Sequence, residues 1–335
     1  MDEVPCEDPA VFILRFDMRA PSSGAPAPDL YAAALEMGEW AESRGCLSAV
    51  VCEHHGVEDG YLPSPVVLAT AMAARSTTLP INVAVVVLPL YDPVRLAEEM
   101  VVLDVISRGR VSYVAGLGYR PEEYEMLGVD FRRRGRLADE KLAVLLRAKT
   151  GEPFEHDGRR IRVTPAPFTP GGPMVAWGGG SVAAARRAGR FGVGFFGQRG
   201  GSELRAAYEE AARAAGHEPG MCFLPEADAP TTVFVAEDVD RAWDELGPYL
   251  MHDVLSYAAW NEGEAGRTAS ISSATTVDEL RAANTSHRIL SVEEAVDFVR
   301  DGQVLALHPL IGGLPPDIAW RYLRTAVDDV LPRAR

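Results

Sequence analysis

Residues 47–56 carry the clearest structural signal in this chain, and they read Leu47-Ser48-Ala49-Val50-Val51-Cys52-Glu53-His54-His55-Gly56. The largely apolar run up to Cys52 is bounded by glycines and follows a helical pattern, which predicts a buried β-strand. Glu53, His54 and His55 then stand at the carboxyl end of that strand, where α/β folds place their chemistry. A histidine at such a position is suited to proton transfer near neutral pH.

Similar strand patterns recur along the chain and alternate with helical ones. The helical pattern Asp29–Arg44 begins at a candidate N-cap, and another helix opens at Asp92-Pro93. Alternating strands and helices predict a parallel sheet, and eight units predict an α/β fold of the (β/α)₈ TIM-barrel type, with residues 1–335 as a single domain. The eight predicted strands are Val11–Phe16, Leu47–Cys52, Ile81–Leu88, Val111–Ala115, Met174–Trp177, Val193–Phe196, Thr231–Ala236 and Val304–Leu307.

An open, doubly wound sheet is the alternative architecture for the same alternation. That fold would place a G-x-G-x-x-G phosphate loop after the first strand. The residues found there, Ala20-Pro21-Ser22-Ser23-Gly24, do not provide it. The barrel is therefore the preferred prediction.

Two segments interrupt the simple alternation. Between strands four and five, Phe154–His156 and Arg160–Val163 flank Asp157-Gly158, which predicts a hairpin insertion. Before strand eight, the long helical pattern Val239–Trp260 predicts a helical insertion. The polar, glycine-containing segment Asn261–Ser273 that follows is expected to be a mobile loop.

Composition and charge exclude several classes of function. The 335 residues are 47% hydrophobic and 24% charged, which is ordinary for a globular protein. A net charge of −15 argues against a nucleic-acid partner, because phosphate binding needs clustered Lys and Arg. The acidic start Met1–Pro5 has no secretory pattern and the longest apolar run, Ile81–Leu90, is too short to span a bilayer, so we expect a cytoplasmic protein with no membrane partner.

The run Gly178-Gly179-Gly180-Ser181 follows a predicted strand and opens a predicted helix. Glycines let the backbone approach an anion, and the N–H groups of a helix start point at it. The segment is therefore a candidate phosphate cradle. The alternative is a flexible turn in which Ser181 is only an N-cap.

The histidines favour acid–base chemistry over metal binding. Adjacent strand residues point to opposite faces, so at most one of His54 and His55 enters the barrel mouth easily. No histidine spacing matches a zinc pattern, and none of the four cysteines forms a C-x-x-C pair. His308 stands at the end of the last strand, whereas His252 lies in a helical pattern. Trp177 can stack on a planar cofactor or fill the core.

Five segments, taken in order, form a specific set. They are Glu53–Gly56 after strand two, Leu88–Glu98 after strand three, Leu103–Arg110 before strand four, Gly178–Ala188 after strand five, and Gly312–Pro315 near the end. This set resembles the bacterial-luciferase-like flavin monooxygenase family over nearly the whole chain.

The resemblance implies a barrel with an insertion, often dimeric, that uses reduced FMN with oxygen or a deazaflavin coenzyme. It implies that His54 lines the active site and that a non-prolyl cis peptide lies near Ala84-Val85. The cofactor phosphate would lie at the loop after strand five. We therefore place the following residues at the cofactor: Ala84, Val85, Gly116, Gly178, Gly179, Gly180 and Ser181. One departure stands out, since luciferases place an arginine soon after strand four where this chain has Leu117. Arg120 is the nearest candidate to replace it.

The leading hypothesis is a flavin-dependent monooxygenase that uses reduced FMN and oxygen on a small organic substrate. No nicotinamide-binding domain is visible, so a separate flavin reductase is the expected electron source, and a homodimer is expected from the resemblance. We assign His54 as the catalytic acid/base or hydrogen-bonding residue. The alternatives are a deazaflavin-dependent dehydrogenase or reductase and a non-catalytic flavin-binding partner subunit. The candidate substrate-pocket residues are Tyr91, Tyr119, Trp177, His252 and His308.

Overall fold

A computed structural model describes residues 11–226, 229–261 and 271–334 of the chain. All eight predicted strands form within one or two residues of their expected ends, together with a hairpin and two short additional strands. The strands are β1 (Phe12–Phe16), β2 (Cys46–Val51), β3 (Ile81–Val87), β4 (Val111–Gly116), β5 (Phe154–His156), β6 (Arg159–Ile161), β7 (Met174–Gly179), β8 (Gly194–Gly197), β9 (Cys222–Phe223), β10 (Thr232–Ala236), β11 (His287–Ser291) and β12 (Leu305–Leu307).

Helices connect the successive parallel strands. Most begin at a side-chain cap or a proline in the first turn, as the sequence patterns predict. They are α1 (Ala27–Glu42), α2 (Pro65–Arg75), α3 (Pro93–Ser107), α4 (Pro121–Met126), α5 (Arg134–Ala148), α6 (Val182–Arg190), α7 (Ser202–Ala214), α8 (Val239–Trp260), α9 (Val277–Ala283), α10 (Val292–Arg300), α11 (Pro316–Arg324) and α12 (Leu331–Ala334).

Ten strands form one parallel sheet in the order β11-β10-β12-β1-β2-β3-β4-β7-β8-β9. The strand β9, at one end of this order, is followed in the chain by β10, which lies next to the other end. The connection therefore curls the sheet round on itself, and the fold is the α/β barrel that the alternation predicts. A shared register places Phe16 beside Val51, Val51 beside Val83, and Val83 beside Tyr113.

The prediction of eight barrel strands missed β9 and β11. The strand β9 has only two residues, which is too short for a periodicity signal. The strand β11 mixes polar and apolar residues and pairs with β10 along its full length, from Thr232 beside His287 to Ala236 beside Ser291. Its position next to β10 comes from tertiary pairing, which local hydrophobicity does not encode.

Local sequence signals explain several element boundaries. The Asp92 carboxylate accepts hydrogen bonds from Val94 N and Arg95 N, both 2.9 Å away, so it caps α3 as predicted. The helix α1 begins two residues earlier than expected, so that Asp29 lies in its first turn. The hairpin β5-β6 turns at Asp157-Gly158, where both residues have positive φ.

The two faces of the barrel strands differ in how well they are packed. On β1, Phe12, Leu14 and Phe16 are fully buried against the helices. The alternate residues Ile13 and Arg15 face the barrel interior and keep some accessible surface. Because the interior of a barrel is normally filled by side chains, this difference indicates a hollow inside the strands.

Two further expectations concern the mobile loop after α8 and membrane-spanning segments. Residues 262–270, most of the expected mobile loop, lie outside the described residues. Within the described residues, no helix is both long and apolar enough to cross a membrane.

Candidate functional site

One cavity of about 900 Å³ opens at the carboxyl ends of the barrel strands and extends between them. Its walls come from strands that are far apart in the sequence, which the parallel register brings to one mouth. It is of the size that small-molecule and cofactor sites usually have. Most of the residues assigned to a site from the sequence line it, namely His54, Ala84, Val85, Gly116, Tyr119, Trp177, Gly178, Gly179, Gly180 and Ser181.

His54 follows the end of β2 and is almost fully buried. Its Nδ1 lies 2.7 Å from Glu123 Oε1, and its Nε2 lies 3.2 Å from the hydroxyl of Tyr119. Glu123 belongs to α4 and is completely buried, where it also accepts hydrogen bonds from His55 N and from Arg120. The three side chains therefore form a chain of contacts from α4 to the cavity.

The protonation states in this chain follow from burial and charge. Burial lowers the pKa of His54 below its usual value. The hydrogen bond from His54 is among the contacts that hold the pKa of Glu123 below its usual range, although burial alone would raise it. Burial also raises the pKa of Tyr119. A neutral His54 thus donates its Nδ1 proton to ionised Glu123 and accepts the Tyr119 hydroxyl proton at Nε2.

His55 points away from the barrel mouth, as strand alternation predicts. Its Nε2 lies 2.6 Å from Glu53 Oε1, and Glu53 Oε2 accepts a hydrogen bond from Val87 N at 3.2 Å. Desolvation raises the pKa of Glu53, whereas the contact with Glu53 raises that of His55 despite burial. This pair holds the end of β2 against β3, and of the two residues only Glu53 lines the cavity.

Tyr91 is not among the residues that line this cavity, and its assignment to a substrate pocket stays a prediction. It lines a separate outer hollow of about 630 Å³ between α2 and α3, together with His55. The 3-10 turn formed by residues 88–90 separates Tyr91 from the end of β3, so the Tyr91 side chain lies outside the barrel.

Three aromatic residues surround His54, and the sequence analysis did not identify them. The ring centroids of Tyr61 and Trp260 both lie 4.8 Å from the His54 ring, and that of Tyr257 lies 6.4 Å away. Tyr61 stands in the loop after β2, while Tyr257 and Trp260 end the 22-residue helix α8. The sequence offered one signal for Tyr257 and Trp260, namely their place at the end of the predicted helical insertion.

His252 and His308 are not among the residues that line this cavity, and their assignment to a substrate pocket stays a prediction. Each contacts a carboxylate in a buried network centred on Arg19. His252 Nε2 lies 2.7 Å from Asp59 Oδ2, and His308 Nε2 lies 3.4 Å from Asp17 Oδ2. Both contacts lie at the carboxyl ends of strands, since Asp17 directly follows β1, His308 directly follows β12, and Asp59 belongs to the loop after β2.

The Arg19 guanidinium is fully buried among three carboxylates. Its nitrogens lie 2.6 Å from Asp59, 3.3 Å from Asp17 and 3.8 Å from Asp253. Contacts with nearby cations hold the pKa values of all three aspartates below their usual range, against the opposing effect of burial. His287 of β11 joins the network through Asp253 at 3.1 Å.

The glycine run forms the end of β7 and the start of α6. Ser181 is the N-cap, since its hydroxyl accepts a hydrogen bond from Ala184 N at 3.2 Å. A second loop after β8 adds Arg199, whose Nε donates to Gly180 O at 2.9 Å. Arg199 was not among the predicted site residues, although Arg199-Gly200-Gly201-Ser202 repeats the pattern of a glycine pair that opens a helix.

The peptide bond between Ala84 and Val85 is cis, at the position that the family resemblance implies. The glycines that face it leave room for Val85. A Cβ atom on Gly116 would lie 2.5 Å from Val85 Cγ1, and one on Gly178 would lie 2.9 Å from Val114 Cγ1. Glycine at these two positions lets β3, β4 and β7 converge around the cis bond.

Two further expectations are resolved by packing. The Trp177 side chain is fully buried with the guanidinium of Arg187 on α6 5.1 Å from its ring, so the ring packs between sheet and helix. Arg120 donates to His55 O and Glu123 and lies 4.4 Å from the Trp260 ring. It is therefore engaged beside His54, and the cation at the glycine loop is Arg199, which also forms a 2.7 Å salt bridge with Glu203.

Within residues 11–226, 229–261 and 271–334 there is no group of three or more His, Cys, Asp or Glu side chains placed to hold a metal ion. The acidic side chains near the mouth instead contact Arg19 and histidine side chains.

Comparison with known proteins gives two curated relatives of interest. The 4-hydroxyprotoasukamycin monooxygenase of Streptomyces nodosus subsp. asukaensis is 29% identical over 287 residues, which cover 80% of this chain and 76% of that protein. The uncharacterized protein y4vJ of Sinorhizobium fredii is 32% identical over 131 residues. That match covers 39% of this chain and 37% of the relative, so the chain spans well under half of its length.

Solved structures agree in fold. The monooxygenase RslO1 from Streptomyces bottropensis has a TM-score of 0.75 at 21% identity, covering 97% of this chain and 100% of that one. The oxygenating constituent of 3,6-diketocamphane monooxygenase from Pseudomonas putida, in complex with FMN, has a TM-score of 0.68 at 19% identity, covering 97% and 98%. The coenzyme F420-dependent tetrahydromethanopterin reductase from Methanopyrus kandleri has 0.67 at 14%, covering 98% and 100%.

These structures share the barrel with this chain, and their low identities limit the likeness to the fold. The sequence comparison goes further, because the family model described as "Luciferase-like monooxygenase" matches residues 11–303. That match includes His54, the glycine loop and the Ala84-Val85 bond. Since it extends over most of the chain, this protein is a member of the luciferase-like monooxygenase family.

Proposed function

We propose that this protein is a flavin-dependent monooxygenase that uses reduced FMN and oxygen on a small organic substrate. The observation that carries the proposal is that the glycine loop at α6 and the contact chain from Glu123 through His54 to Tyr119 border the same cavity. A phosphate-binding element and a proton-transfer element on one cavity are what such a reaction requires.

The donors at the glycine loop suit a phosphate group. The first N–H groups of a helix have no partner inside the helix, and they favour an anion. Here they belong to α6, beside Arg199, whose positive charge is shared with Glu203 at 2.7 Å. Ser181 and Arg199 would hold the phosphate, and the cavity would hold the ring system between Gly116, Gly178 and Val85.

Bound reduced flavin would supply the electrons that activate oxygen; the protein side chains have other tasks. Neutral His54 offers Nε2, through the Tyr119 hydroxyl, as an acceptor for a proton from the substrate. Glu123 fixes the ring orientation and the tautomer by accepting from Nδ1. Tyr61, Tyr257 and Trp260 cover His54 and exclude water from it.

A deazaflavin-dependent dehydrogenase is the second candidate. It is favoured by one observation, namely that a coenzyme F420-dependent reductase matches this fold about as well as the FMN-bound structure does. A non-catalytic flavin-binding subunit is less well supported, because the contact chain places a proton acceptor, His54, on the cavity, which binding alone does not require.

Two partners belong to this proposal. A separate flavin reductase would deliver the reduced cofactor. A second copy of the chain would complete a homodimer, which the outer faces of α2 and α3 support because Val67 is 70% exposed there and Val102, Val105 and Ile106 are each more than 40% exposed.

The decisive experiment follows oxygen uptake and cofactor affinity together. Anaerobic titrations with reduced FMN and with reduced deazaflavin coenzyme give the preferred cofactor, and a reductase-coupled assay gives substrate-dependent oxygen consumption. We expect FMN preference and oxygen uptake, and we expect His54→Ala to lower turnover by roughly 10²–10⁴-fold with unchanged FMN affinity. Preference for the deazaflavin without oxygen uptake would establish the second candidate instead, and wild-type turnover in His54→Ala would remove the role of His54.

A further inference from the structure

Arg15 lies in the middle of the barrel, on the inward face of β1. It is the fourth residue of that strand and pairs in register with Val50 of β2. Both residues line the large cavity, whereas the neighbours Leu14 and Phe16 on the outward face are fully buried. The Arg15 side chain is thus directed into the cavity below His54.

Arg15 has no direct ion pair within the described residues, in contrast to Arg19, although its charge helps to lower the pKa values of Asp253 and Asp17 from a longer distance. Among the described residues, no carboxylate lies within 4 Å of the Arg15 guanidinium, and its one hydrogen bond is the 2.8 Å contact from Nη2 to the Tyr257 hydroxyl. Arg19, four residues later, contacts three carboxylates. A guanidinium carries five N–H donors, so most of those on Arg15 are left for a ligand.

The surroundings of Arg15 connect it to the reacting end of the cavity. The Tyr257 hydroxyl that accepts its hydrogen bond lies 3.0 Å from the Tyr61 hydroxyl, and Tyr61 packs edge-on against His54. The other walls near Arg15 are mainly apolar, with Ile13 and Val50 as examples. The position therefore combines one half-buried cation with an apolar chamber.

From this geometry we propose that Arg15 is a substrate-binding residue that holds an anionic group, a carboxylate or an enolate, of a largely apolar organic substrate. The planar fork of a guanidinium matches a carboxylate with two parallel hydrogen bonds. A substrate anchored there would extend upward past Tyr257 to His54. This assignment rests on the proposed monooxygenase function and names its substrate class.

The cofactor phosphate is not the anion that Arg15 serves. The glycine loop ends β7, and β7 is four strands away from β1 in the sheet order, which places it across the barrel. Arg199 already supplies a cation beside that loop. The competing anion is the ring of reduced flavin itself, and the test below separates it from the substrate.

The test is calorimetric binding of three acids, each paired with its neutral amide, to the flavin-free protein. The acids are benzoate, cinnamate and octanoate. For the best-fitting pair we expect the wild type to bind the acid at least 10-fold more tightly than the amide. Arg15→Gln should lose that preference and leave amide affinity unchanged, and Arg15→Lys should lose part of it, because a lysine keeps the charge without the fork.

The same variants are titrated with reduced FMN under anaerobic conditions, and their urea midpoints are compared with the wild type. A loss of acid binding with unchanged FMN affinity supports the proposal, even if no oxygen uptake is ever found, in which case the proposed monooxygenase function alone would fail. The proposal is overturned if no acid is preferred over its amide, if Arg15→Gln binds acids as the wild type does, or if Arg15→Gln and Arg15→Lys weaken FMN as much as they weaken the acids.

Discussion

His54 and His55 are adjacent in the chain but take different roles, because consecutive side chains of an extended segment point to opposite sides. His54 turns to the cavity and meets Glu123, whereas His55 turns outward and meets Glu53. Both are paired with a carboxylate, yet the pKa of His54 is lowered by burial and that of His55 is raised by its partner. The residue at the cavity is thereby kept neutral and able to accept a proton.

Glu123→Gln tests the positioning of His54. An amide can donate to Nδ1, which would move the ring proton to Nε2 and block the acceptor that faces Tyr119. We expect kcat to fall by about 100-fold or more, as when a histidine is held in the wrong tautomer. Glu123 raises the pKa of His54, so its removal lowers that pKa further and shifts the acid limb of the kcat/KM profile to lower pH.

The matched control for this variant is Glu122→Gln, one residue earlier on the same helix and exposed to solvent. It should leave the rate and the pH profile unchanged. A Glu123→Gln enzyme with a lower kcat but an unshifted acid limb would contradict the coupling between Glu123 and His54.

At the level of elements, the glycine loop is held in place by the packing of α6 on α7. These helices cross at Gly189, where an added Cβ would lie 2.7 Å from Ala212 N and even closer to Tyr208 O. Both are backbone atoms and cannot rotate away. The close approach of the two helices positions the start of α6, which carries Ser181 and the candidate phosphate donors.

Gly189→Ala should therefore push α6 away from α7. Although alanine favours a helix over glycine by about 1 kcal/mol, the steric conflict should dominate and lower the free energy of unfolding by about 1–3 kcal/mol. FMN affinity should fall as well, because the phosphate donors move with the helix. Urea denaturation and an FMN titration measure the two effects.

Gly38→Ala on α1 is the matched control, because it should not lower the free energy of unfolding. An added Cβ there would lie 3.6 Å from Leu79 Cδ2, an ordinary contact. This variant should be as stable as the wild type or more stable by up to about 1 kcal/mol, with unchanged FMN affinity. If Gly189→Ala and Gly38→Ala changed stability and FMN affinity equally, the predicted steric conflict between α6 and α7 would be wrong.

At the scale of the whole molecule, Arg19 joins parts of the barrel that are distant in sequence. Its carboxylate partners come from the end of β1, the loop after β2 and the helix α8. His287 and His308 extend the same network to β11 and to the end of β12. Loss of the central cation would leave several buried carboxylates without compensation.

Arg19→Met should lower the free energy of unfolding by about 3–5 kcal/mol at pH 7.5, the usual cost of breaking a buried ion pair from one side. The aspartates have lowered pKa values in the wild type, so their stabilisation is present above the unfolded pKa and is lost as the pH falls through the folded values. In the variant the pKa values of these aspartates rise, so the carboxylates take up protons at a higher pH. The loss of unfolding free energy relative to the wild type should therefore be smaller at pH 4.5 than at pH 7.5.

The control is Arg95→Met, which removes an exposed arginine that contacts Glu98 and Glu99. Its cost should be about 0–1 kcal/mol at either pH. Urea denaturation at pH 7.5 and 4.5 distinguishes the two variants, and a deficit for Arg19→Met that grows toward pH 4.5 would refute this account of the network.

Much of the architecture could be predicted because barrel strands are short apolar runs with local start and stop signals. Such signals predict the strands around Val51, Val83 and Gly178. The Asp157-Gly158 turn in the same way predicts the hairpin. The strands β9 and β11 could not be found, since one is too short and the other is defined by its pairing with β10.

The sequence by itself determined the barrel type, the strand-end position of His54 and the glycine loop, because each depends on neighbours within a few residues. Tertiary structure alone decided which side chains meet His54, since Glu123 and Trp260 reach it from 69 and more than 200 residues away. It also decided that Arg15 faces a cavity with no carboxylate in direct contact among the described residues, while Arg19 contacts three. The physical reason is that burial and charge pairing are properties of the folded neighbourhood, and the barrel assembles that neighbourhood from the ends of separate strands.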